Sequence, residues 1–514
     1  MDLTTREMKT NRIAVGLDIG TTKIVALIGR HNEFGKIEII GHGTAPSLGV
    51  QRGVVVNITQ TIESIEKAVE LAEQSAGLSI KSVAVGIAGQ HIRSLQHSDY
   101  ITREDAEEVI EDADLDRLTE NVHKLAMMPG EEIIHVLPQE YKVDGQGDIK
   151  EPRGMYGGRL EASFHIVVGQ LTSIKNIARC VKSANLDLHT VNLEPLASAD
   201  AVLSQEEKEA GVVLVDIGGG TTDVAIFKDG IIRHTAVIPH GGNIITSDIK
   251  EGCSIIEKQA ETLKVRFGSA WPGENKENEI VAIPGLRGRE PKEISLKNLS
   301  RIIHARCTEI INAVFTEIKN YGYDQPSKKL IAGVVITGGG SQLKHIKQLV
   351  EYLTGLDTRV GYPNEHLASL EATNPLNSPI YATAVGLLMQ GLNSRKAIDF
   401  VEVPEEDLAT VNSLEPTEEA AWEAPVAVAD AMESHEDAEE FAPVADATDE
   451  ADESAFDHFL DGPQAKREAD LVEASFEDAP EEKQPIATSA NQAETLGLGV
   501  LKLFLDSLSD FESD

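Results

Sequence analysis

The sequence predicts an α/β protein built from two related lobes, and three observations support that prediction. Apolar strand-like runs alternate with helical patterns from about residue 12 to residue 393. One pattern of strand, Asp, glycine turn and strand occurs twice, as VGLDIGTTKIVALI at 15–28 and as VLVDIGGGTTDVAIF at 213–227. A further glycine turn, TGGGS at 337–341, stands between a buried strand and a helix. The repetition predicts a duplication in which each lobe contributes one hairpin to a shared cleft.

Length and charge narrow the class of protein. A chain of 514 residues is long enough for two or three domains, and its 41% hydrophobic content is that of a soluble globular protein. The formal net charge is −39, but residues 396–514 hold about 34 acidic residues against about 5 basic ones, so most of the excess lies there. Because no basic surface is evident that would release counterions from a phosphate backbone, we expect no binding to nucleic acid.

The cysteines and the lengths of the apolar runs indicate the cellular compartment of the protein. Cys180, Cys253 and Cys307 are scattered and form no CxxC pair, which predicts reduced, buried thiols. The first twelve residues contain no apolar region of the signal-peptide kind, and no run of 18 apolar residues occurs. We therefore expect a protein of the cytosol or of the cytosolic face of a membrane.

In the first lobe, three consecutive strands with tight turns are predicted for the sequences IAVGLDIG, KIVALIGR and KIEIIGHG. An amphipathic helix follows and ends at Gly77. Its apolar face consists of Ile58, Ile62, Ile65, Val69 and Ala72. SVAVGIAG is a further buried strand.

From about residue 90 to residue 168 the pattern changes to that of a small inserted α+β unit. REDAEEVIEDADL, at 103–115, predicts a charged helix, and IIHVLPQEYKVDG and EASFHIVVG predict strands. After the insertion, helices are predicted for SIKNIARCVKSANLDL (173–188), IIEKQAETLKVRFG and LSRIIHARCTEIINAVFTEIKNYG. Beyond about residue 400 the chain is rich in Glu, Asp, Ala and Pro without a sustained period, which predicts disorder as far as about 493.

The repeated hairpin has the chemistry of a phosphate site. Glycine lets backbone N–H groups approach an anion, and neighbouring Thr hydroxyls donate to phosphate oxygens. An Asp at the start of the turn suits Mg²⁺ held through water. Two such hairpins that face each other would hold a nucleotide's phosphates from both sides, and the TGGGS turn would let an adenine lie against its backbone.

The last residues become apolar again. An amphipathic stripe is formed by Leu501, Phe504, Leu505, Leu508 and Phe511. Such a helix either docks onto the globular part of the chain or lies in the plane of a membrane. Lys502, Asp506, Ser509 and Asp510 lie opposite the stripe. Asp506, Asp510, Glu512 and Asp514 would be repelled by anionic lipid, so membrane binding would depend on apolar burial and on avidity between assembled chains.

The order of these motifs resembles that of the actin-like ATPase superfamily, and within it the chain resembles the FtsA family of bacterial cell division proteins. The residues that carry the resemblance are GLDIGTTKI at 16–24, IAGQHIRS and VLPQEY in the insertion, NLEPLASADAVL at 192–203, VDIGGGTTDVAIF at 215–227, PHGGNIITSDI at 239–249, AETLKVRFG at 260–268 and ITGGGSQL at 336–343. The resemblance implies an α/β, actin-like ATPase fold: two lobes around a nucleotide cleft, an inserted 1C subdomain, a disordered acidic tail and a C-terminal amphipathic helix.

The resemblance also implies a division into subdomains. Subdomain 1A takes 12–88 and 169–210, with a closing helix at 371–395, and the inserted subdomain 1C takes 89–168. Subdomain 2A takes 211–254 and 331–370, around subdomain 2B at 255–330. The disordered acidic linker is expected at 396–493, and the membrane-targeting helix at 494–514.

Site residues are carried over by position. Asp18 and Asp216 resemble the carboxylates associated with Mg²⁺. The implied ATP-binding residues are Gly20, Thr21, Thr22 and Lys23 in the first hairpin, Gly218, Gly219, Gly220, Thr221 and Thr222 in the second, Glu261 and Lys264 at the ribose and adenine, and Gly338, Gly339, Gly340 and Ser341 in the third loop. Glu194 stands where related proteins orient the attacking water, although Glu-Pro is also ordinary chemistry for a helix start. Glu261 and Lys264 are equally compatible with an exposed i, i+3 pair.

The function that the resemblance implies is that of an adaptor. Such a protein binds ATP with Mg²⁺, polymerises through subdomain 1C and hydrolyses ATP slowly at most. It anchors the FtsZ ring, through the FtsZ C-terminal tail, to the cytoplasmic side of the cell membrane at the division site, and it recruits other division proteins. Two alternatives share the fold: a PilM-like pilus-assembly protein, which normally lacks the tail, and a sugar or acetate kinase, whose substrate-binding features are not evident.

Overall fold

The computed structural model describes residues 12–276, 278–285, 290–368 and 374–394. The predicted acidic linker at 396–493 and the predicted membrane helix at 494–514 lie outside the described residues. Among the helices within the described ranges, none has the length and apolarity needed to cross a bilayer. The three cysteines are buried, as predicted.

The first lobe begins as the sequence predicts. Its elements before the insertion are β1 (Ile13–Ile19), β2 (Lys23–His31), β3 (Ile37–Pro46), β4 (Val50–Gln51), β5 (Val54–Val55), α1 (Ile58–Ala76) and β6 (Ser82–Ile87). The side chain of Asn57 caps α1 by accepting from the backbone N–H of Gln60, at 3.1 Å. Gly77 ends the helix in the left-handed conformation, with φ of 67°.

The insertion is an antiparallel sheet covered by one helix. Its elements are β7 (Arg93–Thr102), α2 (Asp112–His123), β8 (Glu131–Val143), β9 (Gln146–Ile149) and β10 (Arg159–Gln170). The strand order is β7–β10–β8–β9. Leu118 and Val122 of α2 pack with Phe164 of β10 in a core that is separate from those of the lobes.

The helix predicted at 103–115 is wrong for most of its length, because α2 begins only at Asp112. The preceding residues form a loop around the buried guanidinium of Arg103. That group donates to the carbonyl oxygens of Glu108, Val109 and Gly157, at 2.8–2.9 Å. These tertiary contacts outweigh the local helical pattern.

The chain then completes the first lobe and builds the second. The remaining elements of the first lobe are α3 (Leu171–Ser183), β11 (Asp187–Leu193), α4 (Glu194–Val202) and α5 (Gln205–Ala210). The helix predicted at 173–188 is therefore too long at its C-terminal end. The strands and helices of the second lobe are β12 (Val212–Ile217), β13 (Thr222–Lys228), β14 (Ile231–Ile238), α6 (Gly242–Gly252), α7 (Glu257–Phe267), β15 (Ile280–Ile283), β16 (Lys292–Ser295), α8 (Leu296–Tyr321), β17 (Val334–Thr337), α9 (Ile346–Thr354) and β18 (Thr358–Val360). The helix α10 (Ala382–Asn393) comes after them in the chain.

The two large sheets have the same topology, which supports the duplication. The strand order is β3–β2–β1–β6–β11 in the first lobe and β14–β13–β12–β17–β18 in the second. In each sheet an antiparallel meander of three strands is followed by two strands parallel to the first strand of the meander. The first strand of each meander is therefore central, and it ends at the glycine turn.

Successive side chains of each central strand point to opposite faces of its sheet, so the apolar core is divided into three layers. Leu17 of β1 packs against α1 and α3, and Val215 of β12 packs against the helices of the second lobe. The opposite faces of the two sheets share a third cluster with α4 and α10, to which Ala14 of β1 and Leu214 of β12 contribute. The two helices α4 and α10 thus lie between the sheets and join the lobes.

The insertion also contacts the second lobe. Nε2 of His165 in β10 lies 3.0 Å from Oγ1 of Thr235 in β14. The hydroxyl of Ser94 in β7 donates to the Thr235 carbonyl oxygen at 3.1 Å, and the Gln139 side chain of β8 donates to the Ile232 carbonyl oxygen. The inserted subdomain is therefore joined covalently to the first lobe and by hydrogen bonds to the second.

We predict that Gly386→Ala destabilises the fold. A Cβ at this position in α10 would lie 1.8 Å from the carbonyl oxygen of Ala197 in α4. The helices would have to separate, at a cost of about 1–3 kcal/mol in the free energy of unfolding. Helix propensity returns ~1 kcal/mol, so we expect a net loss of up to about 2 kcal/mol. Urea unfolding measures the change. Gly391→Ala in the same helix is the control, because its Cβ would meet only the Ala14 Cβ at 3.2 Å and the Ala84 Cβ at 3.5 Å. Equal stability of the two variants would contradict the prediction.

Candidate functional site

The two glycine hairpins are equivalent by strand register. Ile19 pairs with Ile24 across the first hairpin, and Ile217 pairs with Thr222 across the second, so each turn contains four residues. Asp18 and Asp216 therefore hold equivalent positions at the ends of β1 and β12. The repeated Thr-Thr letters do not, because Thr21-Thr22 correspond to Gly219-Gly220 and Lys23 corresponds to Thr221.

The hairpins face each other and lie in contact. A Cβ on Gly219 would lie 2.0 Å from Oγ1 of Thr22 in the other lobe. A Cβ on Gly220 would lie 2.6 Å from Oγ1 of Thr21 and 2.9 Å from the backbone of Arg52. The turn of the second hairpin must therefore be bare backbone where it meets the first lobe.

Three buried carboxyl groups surround the base of the hairpins. They belong to Asp18, Asp216 and Asp223, and Asp223 is the cross-strand partner of Asp216. Oδ2 of Asp216 accepts from the hydroxyls of Ser198 in α4, at 2.6 Å, and of Thr383 in α10, at 3.1 Å. Both helices of the middle layer are thus hydrogen-bonded to the end of β12.

Burial governs the protonation of this cluster. It raises the pKa of Asp18 to about 6, and Lys23 opposes that shift. It raises the pKa of Asp223 to about 8, with repulsion from Asp216 adding to the effect. The pKa of Asp216 is also raised by burial, although the bonds from Ser198 and Thr383 counteract the rise. Near neutral pH Asp223 is therefore protonated, whereas Asp18, with a pKa of about 6, is mostly ionised.

Lys23 contributes positive charge to the cluster. Its Nζ donates to the carbonyl oxygen of Ile380 at 2.8 Å and lies 3.9 Å from the centre of the Tyr381 ring. Burial lowers the pKa of Lys23 to about 8, against the opposing effect of Asp18 and Asp216. The ammonium group thus shares the cleft with both aspartates, and its contact with phosphate stays a prediction.

Glu194 reaches the same cleft from the first turn of α4. Its side chain passes over Gly86 of β6, where a Cβ would lie 2.8 Å from Cγ of Glu194. Burial raises the pKa of Glu194 well above its usual range, and repulsion from Asp18, Asp223 and Asp216 adds to the rise. The structure therefore directs the Glu194 carboxyl toward the aspartates.

The third glycine loop lies against the base of the second hairpin. Gly338 has φ of +78°, and a Cβ there would lie 2.2 Å from Oδ1 of Asp216. The buried Ser341 hydroxyl donates to the Gly338 carbonyl oxygen at 2.7 Å and so stabilises the loop. Gly340 packs on Ile217, whereas a Cβ on Gly339 would meet nothing within 4 Å. The backbone at Gly339 is open to a ligand.

Glu261 and Lys264 form the expected i, i+3 ion pair, at 2.7 Å. The pair is only partly exposed, and it lies beside the second hairpin. Nζ of Lys264 donates to the carbonyl oxygen of Gly242 at 3.0 Å, and the N–H of Gly242 donates to the carbonyl oxygen of Gly218 at 2.8 Å. The structure therefore brings these two residues to the cleft, where a ribose contact stays a prediction.

The threonines divide into two groups. Thr21 accepts a hydrogen bond from the Gly53 N–H at 3.1 Å, and Thr22 is exposed at the tip of its turn. Thr221 is buried and donates to Asp223 at 3.1 Å, and Thr222 is buried and donates to the His240 carbonyl oxygen at 2.8 Å. In this structure the hydroxyl protons of Thr221 and Thr222 are directed to protein acceptors.

The sequence analysis missed Asp223, Ser198 and Thr383. Asp223 had a detectable signal, because a charged residue inside an otherwise apolar strand requires a partner or a ligand. Ser198 and Thr383 had none, since small polar residues inside helices are common. Their alignment on one oxygen of Asp216 depends on how α4 and α10 pack between the sheets.

These residues fit a magnesium nucleotide. Within the described part of the chain, no group of three or more His, Cys, Asp or Glu side chains is arranged to hold a metal ion directly. Mg²⁺ is ordinarily bound by one or two carboxylates together with waters and phosphate oxygens, and Asp18 and Asp216 can supply that number. Oδ1 of Asp223 is buried without a hydrogen-bond partner, and the glycine turns at Gly20 and Gly338 lie beside the carboxyls of Asp18 and Asp216.

Fold and site together define the class as an actin-like ATPase fold with a subdomain inserted into its first lobe. A solved structure of the PilM–PilN type IV pilus biogenesis complex is similar in fold, with a TM-score of 0.55 over 74% of this chain and 99% of that one, at 14% identity. A family model for an SHS2 domain inserted in FtsA matches residues 89–168, and the model for cell division protein FtsA matches residues 213–386.

Curated relatives identify the family. Cell division protein FtsA of Pseudomonas aeruginosa is 40% identical over 388 residues, which are 76% of this chain and 91% of that protein. Cell division protein FtsA of Escherichia coli K12 is 34% identical over 387 residues, which are 74% of this chain and 91% of that protein. The chain belongs to the FtsA family of cell division proteins, so the kinase and PilM-like alternatives are set aside.

The buried carboxyl cluster predicts a pH-dependent effect of Asp223→Asn. Because the pKa of Asp223 is about 8 in the folded chain and lies near 3.8 without burial, its contribution to stability is present below the lower value and is lost as pH rises through the higher one. The variant has no such group, so its stability relative to the unsubstituted chain should increase between about pH 5 and about pH 8, by about 1 kcal/mol or more.

Urea unfolding in EDTA without nucleotide measures this difference, since a bound cation would favour the ionised carboxylate. Asp116→Asn, at an exposed position on α2, is the matched control and should show no such trend. A difference independent of pH would mean that Asp223 is ionised throughout.

Proposed function

We propose that this chain is an ATP-binding, polymerising cell division adaptor that attaches the FtsZ ring to the inner face of the cytoplasmic membrane. The observation that carries the nucleotide part is the direct approach of two equivalent hairpins, Thr22 to Gly219, above the buried carboxyls of Asp18 and Asp216. A polyphosphate between the turns would receive N–H groups from both lobes, and its charge would be offset by Lys23.

Each of the residues around the cleft would have a separate role in binding or hydrolysing ATP. Asp18 and Asp216 would hold Mg²⁺ through water, and the ion would neutralise charge on the phosphates. Glu194 would accept a hydrogen bond from the attacking water. Gly339 would give the adenine an open backbone surface, and Glu261 would lie at the ribose. With positioning and charge as its means, the site supports slow ATP hydrolysis at most.

Nucleotide binding would affect assembly through the lobes. The distance between the hairpins would set the distance between the two sheets. The inserted subdomain is joined to the first lobe through its chain connections to β6 and α3, and to the second lobe through its hydrogen bonds to Thr235. A nucleotide that holds the hairpins at one distance therefore favours one position of the insertion. This supports polymerisation through the inserted subdomain, as the family implies.

The remaining parts of the proposal rest on family membership and on the tail sequence. The chain would bind the C-terminal tail of FtsZ through subdomain 2B and would recruit other division proteins. The helix proposed at 494–514 would place it on the cytoplasmic side of the cell membrane at the division site. Because the polar face of that helix is acidic, single chains would bind lipid weakly and polymers would bind by avidity.

Gly220→Ala tests the nucleotide site. Its Cβ would collide with the backbone of Arg52 and force the hairpins apart. We expect the affinity for ATP with Mg²⁺, measured by titration calorimetry on the full chain, to fall about tenfold, or ~1.4 kcal/mol. Gly147→Ala in the insertion is the control, since its nearest neighbour is Cε of Lys142 at 3.7 Å. An unchanged affinity for Gly220→Ala would show that ATP does not bind between the hairpins.

Liposome flotation tests the attachment. The full chain should float with anionic liposomes, and more of it with ATP and Mg²⁺ than without. Leu505→Asp and a chain that ends at Asn393 should stay in the lower fraction. Leu503→Asp is the matched control, because it adds the same charge on the side of the predicted helix away from the apolar stripe. Flotation of the chain that ends at Asn393 would rule out the terminal helix as the anchor, and loss of flotation by Leu503→Asp would indicate a charge effect.

A further inference from the structure

One hydrogen bond joins the inserted subdomain to the segment that carries Glu194. Nε2 of His135, in β8 of the insertion, accepts from the backbone N–H of Leu193 at 2.9 Å. Leu193 is the last residue of β11 and the N-cap residue of α4, and Glu194 follows it directly. The contact links residues that are 58 positions apart in the chain.

The bond gives the backbone N–H of Leu193 an acceptor from outside its sheet. Within the described residues β11 is an edge strand that pairs with β6 alone, so the other side of its backbone requires partners from outside the sheet. Leu193 is fully buried, and water cannot replace an acceptor there without cost.

The chemistry of the imidazole suits this role. An Nε2 that accepts from an N–H must be unprotonated, which places the ring proton on Nδ1. Burial lowers the pKa of His135 to about 4, with a smaller contribution from His123. The ring is therefore a neutral acceptor near neutral pH.

The position of Leu193 determines where the Glu194 carboxyl points. The Glu194 side chain leaves the backbone at the first residue of α4 and crosses the bare backbone of Gly86. Its first-turn neighbour is Pro195, whose fixed φ restricts the backbone on one side. His135 restricts it on the other side.

We infer that His135 is a positioning residue through which the inserted subdomain holds Glu194 in the orientation needed for ATP hydrolysis. The inference rests on the proposed function, namely that ATP binds in this cleft. The reaction adds one water at the γ-phosphorus, breaks its bond to the bridging oxygen, and yields ADP, inorganic phosphate and a proton. No oxidant or second substrate is required. Coupling between two sites is reciprocal for binding, so a displacement of the insertion and the geometry at Glu194 affect each other.

The experiment compares three variants of the full chain. His135→Leu removes the acceptor. His135→Gln restores it, because a glutamine amide oxygen reaches a position close to that of Nε2. His165→Leu is the matched control, since it removes a hydrogen bond between the same insertion and the second lobe, at Thr235, without contact to the Glu194 segment. Steady-state phosphate release gives kcat and KM, calorimetry gives ATP affinity, and hydrogen–deuterium exchange without nucleotide reports on the peptide that contains Leu193.

We expect His135→Leu to lower kcat by about 10- to 100-fold with little change in KM or in ATP affinity, because Glu194 is misplaced rather than removed. Exchange at the Leu193 peptide should rise in the same variant. His135→Gln should recover most of kcat and of the protection, and His165→Leu should keep kcat within about twofold.

Each other outcome is decisive. Equal losses of kcat in His135→Leu and His165→Leu would assign the effect to general loosening of the insertion and would overturn the inference. So would an unchanged kcat in His135→Leu, or ATP binding by the unsubstituted chain without phosphate release. Absence of ATP binding by the unsubstituted chain would instead refute the nucleotide part of the proposed function.

Discussion

Burial of carboxyl groups where the two lobes meet is the constraint on which the rest of the structure depends. Asp18 and Asp216 end the central strands of their sheets, and Asp223 lies beside Asp216 across one hairpin. Uncompensated, such groups are costly to bury. The hydroxyls of Ser198 and Thr383 compensate Asp216, so the helices between the lobes are aligned on one oxygen of that carboxyl. Thr221 donates to Asp223, and the charge of Lys23 favours the ionised form of Asp18. The site and the junction of the lobes are therefore one structure.

The duplication explains the framework, and the differences between its halves explain the site. Both sheets have one topology, and both hairpins have one register. Where the first lobe has Lys23 and Val25, the second has Thr221 and Asp223. The cleft therefore has its buried lysine on one side and an additional carboxyl on the other. This asymmetry suits a single ligand with a defined orientation.

The sequence was sufficient where local chemistry decides the structure. The amphipathic helix α1 with its end at Gly77, the two glycine hairpins and the buried central strands follow from neighbouring residues, and each was predicted. Prediction from the sequence failed where contacts between residues distant in the chain determine the structure. The loop before α2 is organised around Arg103, the alignment of Ser198 with Asp216 requires helix packing, and His135 meets Leu193 only because β8 lies beside β11. The two Thr-Thr pairs share letters but not positions, because equivalence between the hairpins is set by strand pairing.

The proposed attachment to a membrane is consistent with the proposed effect of the nucleotide cleft on the inserted subdomain. Burial of one large apolar side chain is worth about 1.5–3 kcal/mol when complete, and the acidic face of the predicted terminal helix subtracts from that gain at an anionic surface. A single helix would then bind reversibly, and stable attachment would require several chains held together. In the proposed function, assembly through the inserted subdomain would depend on the position of that subdomain, which contacts both lobes, at Thr235 and at Leu193. A weak anchor would thus let the state of the cleft decide whether the chain stays on the membrane.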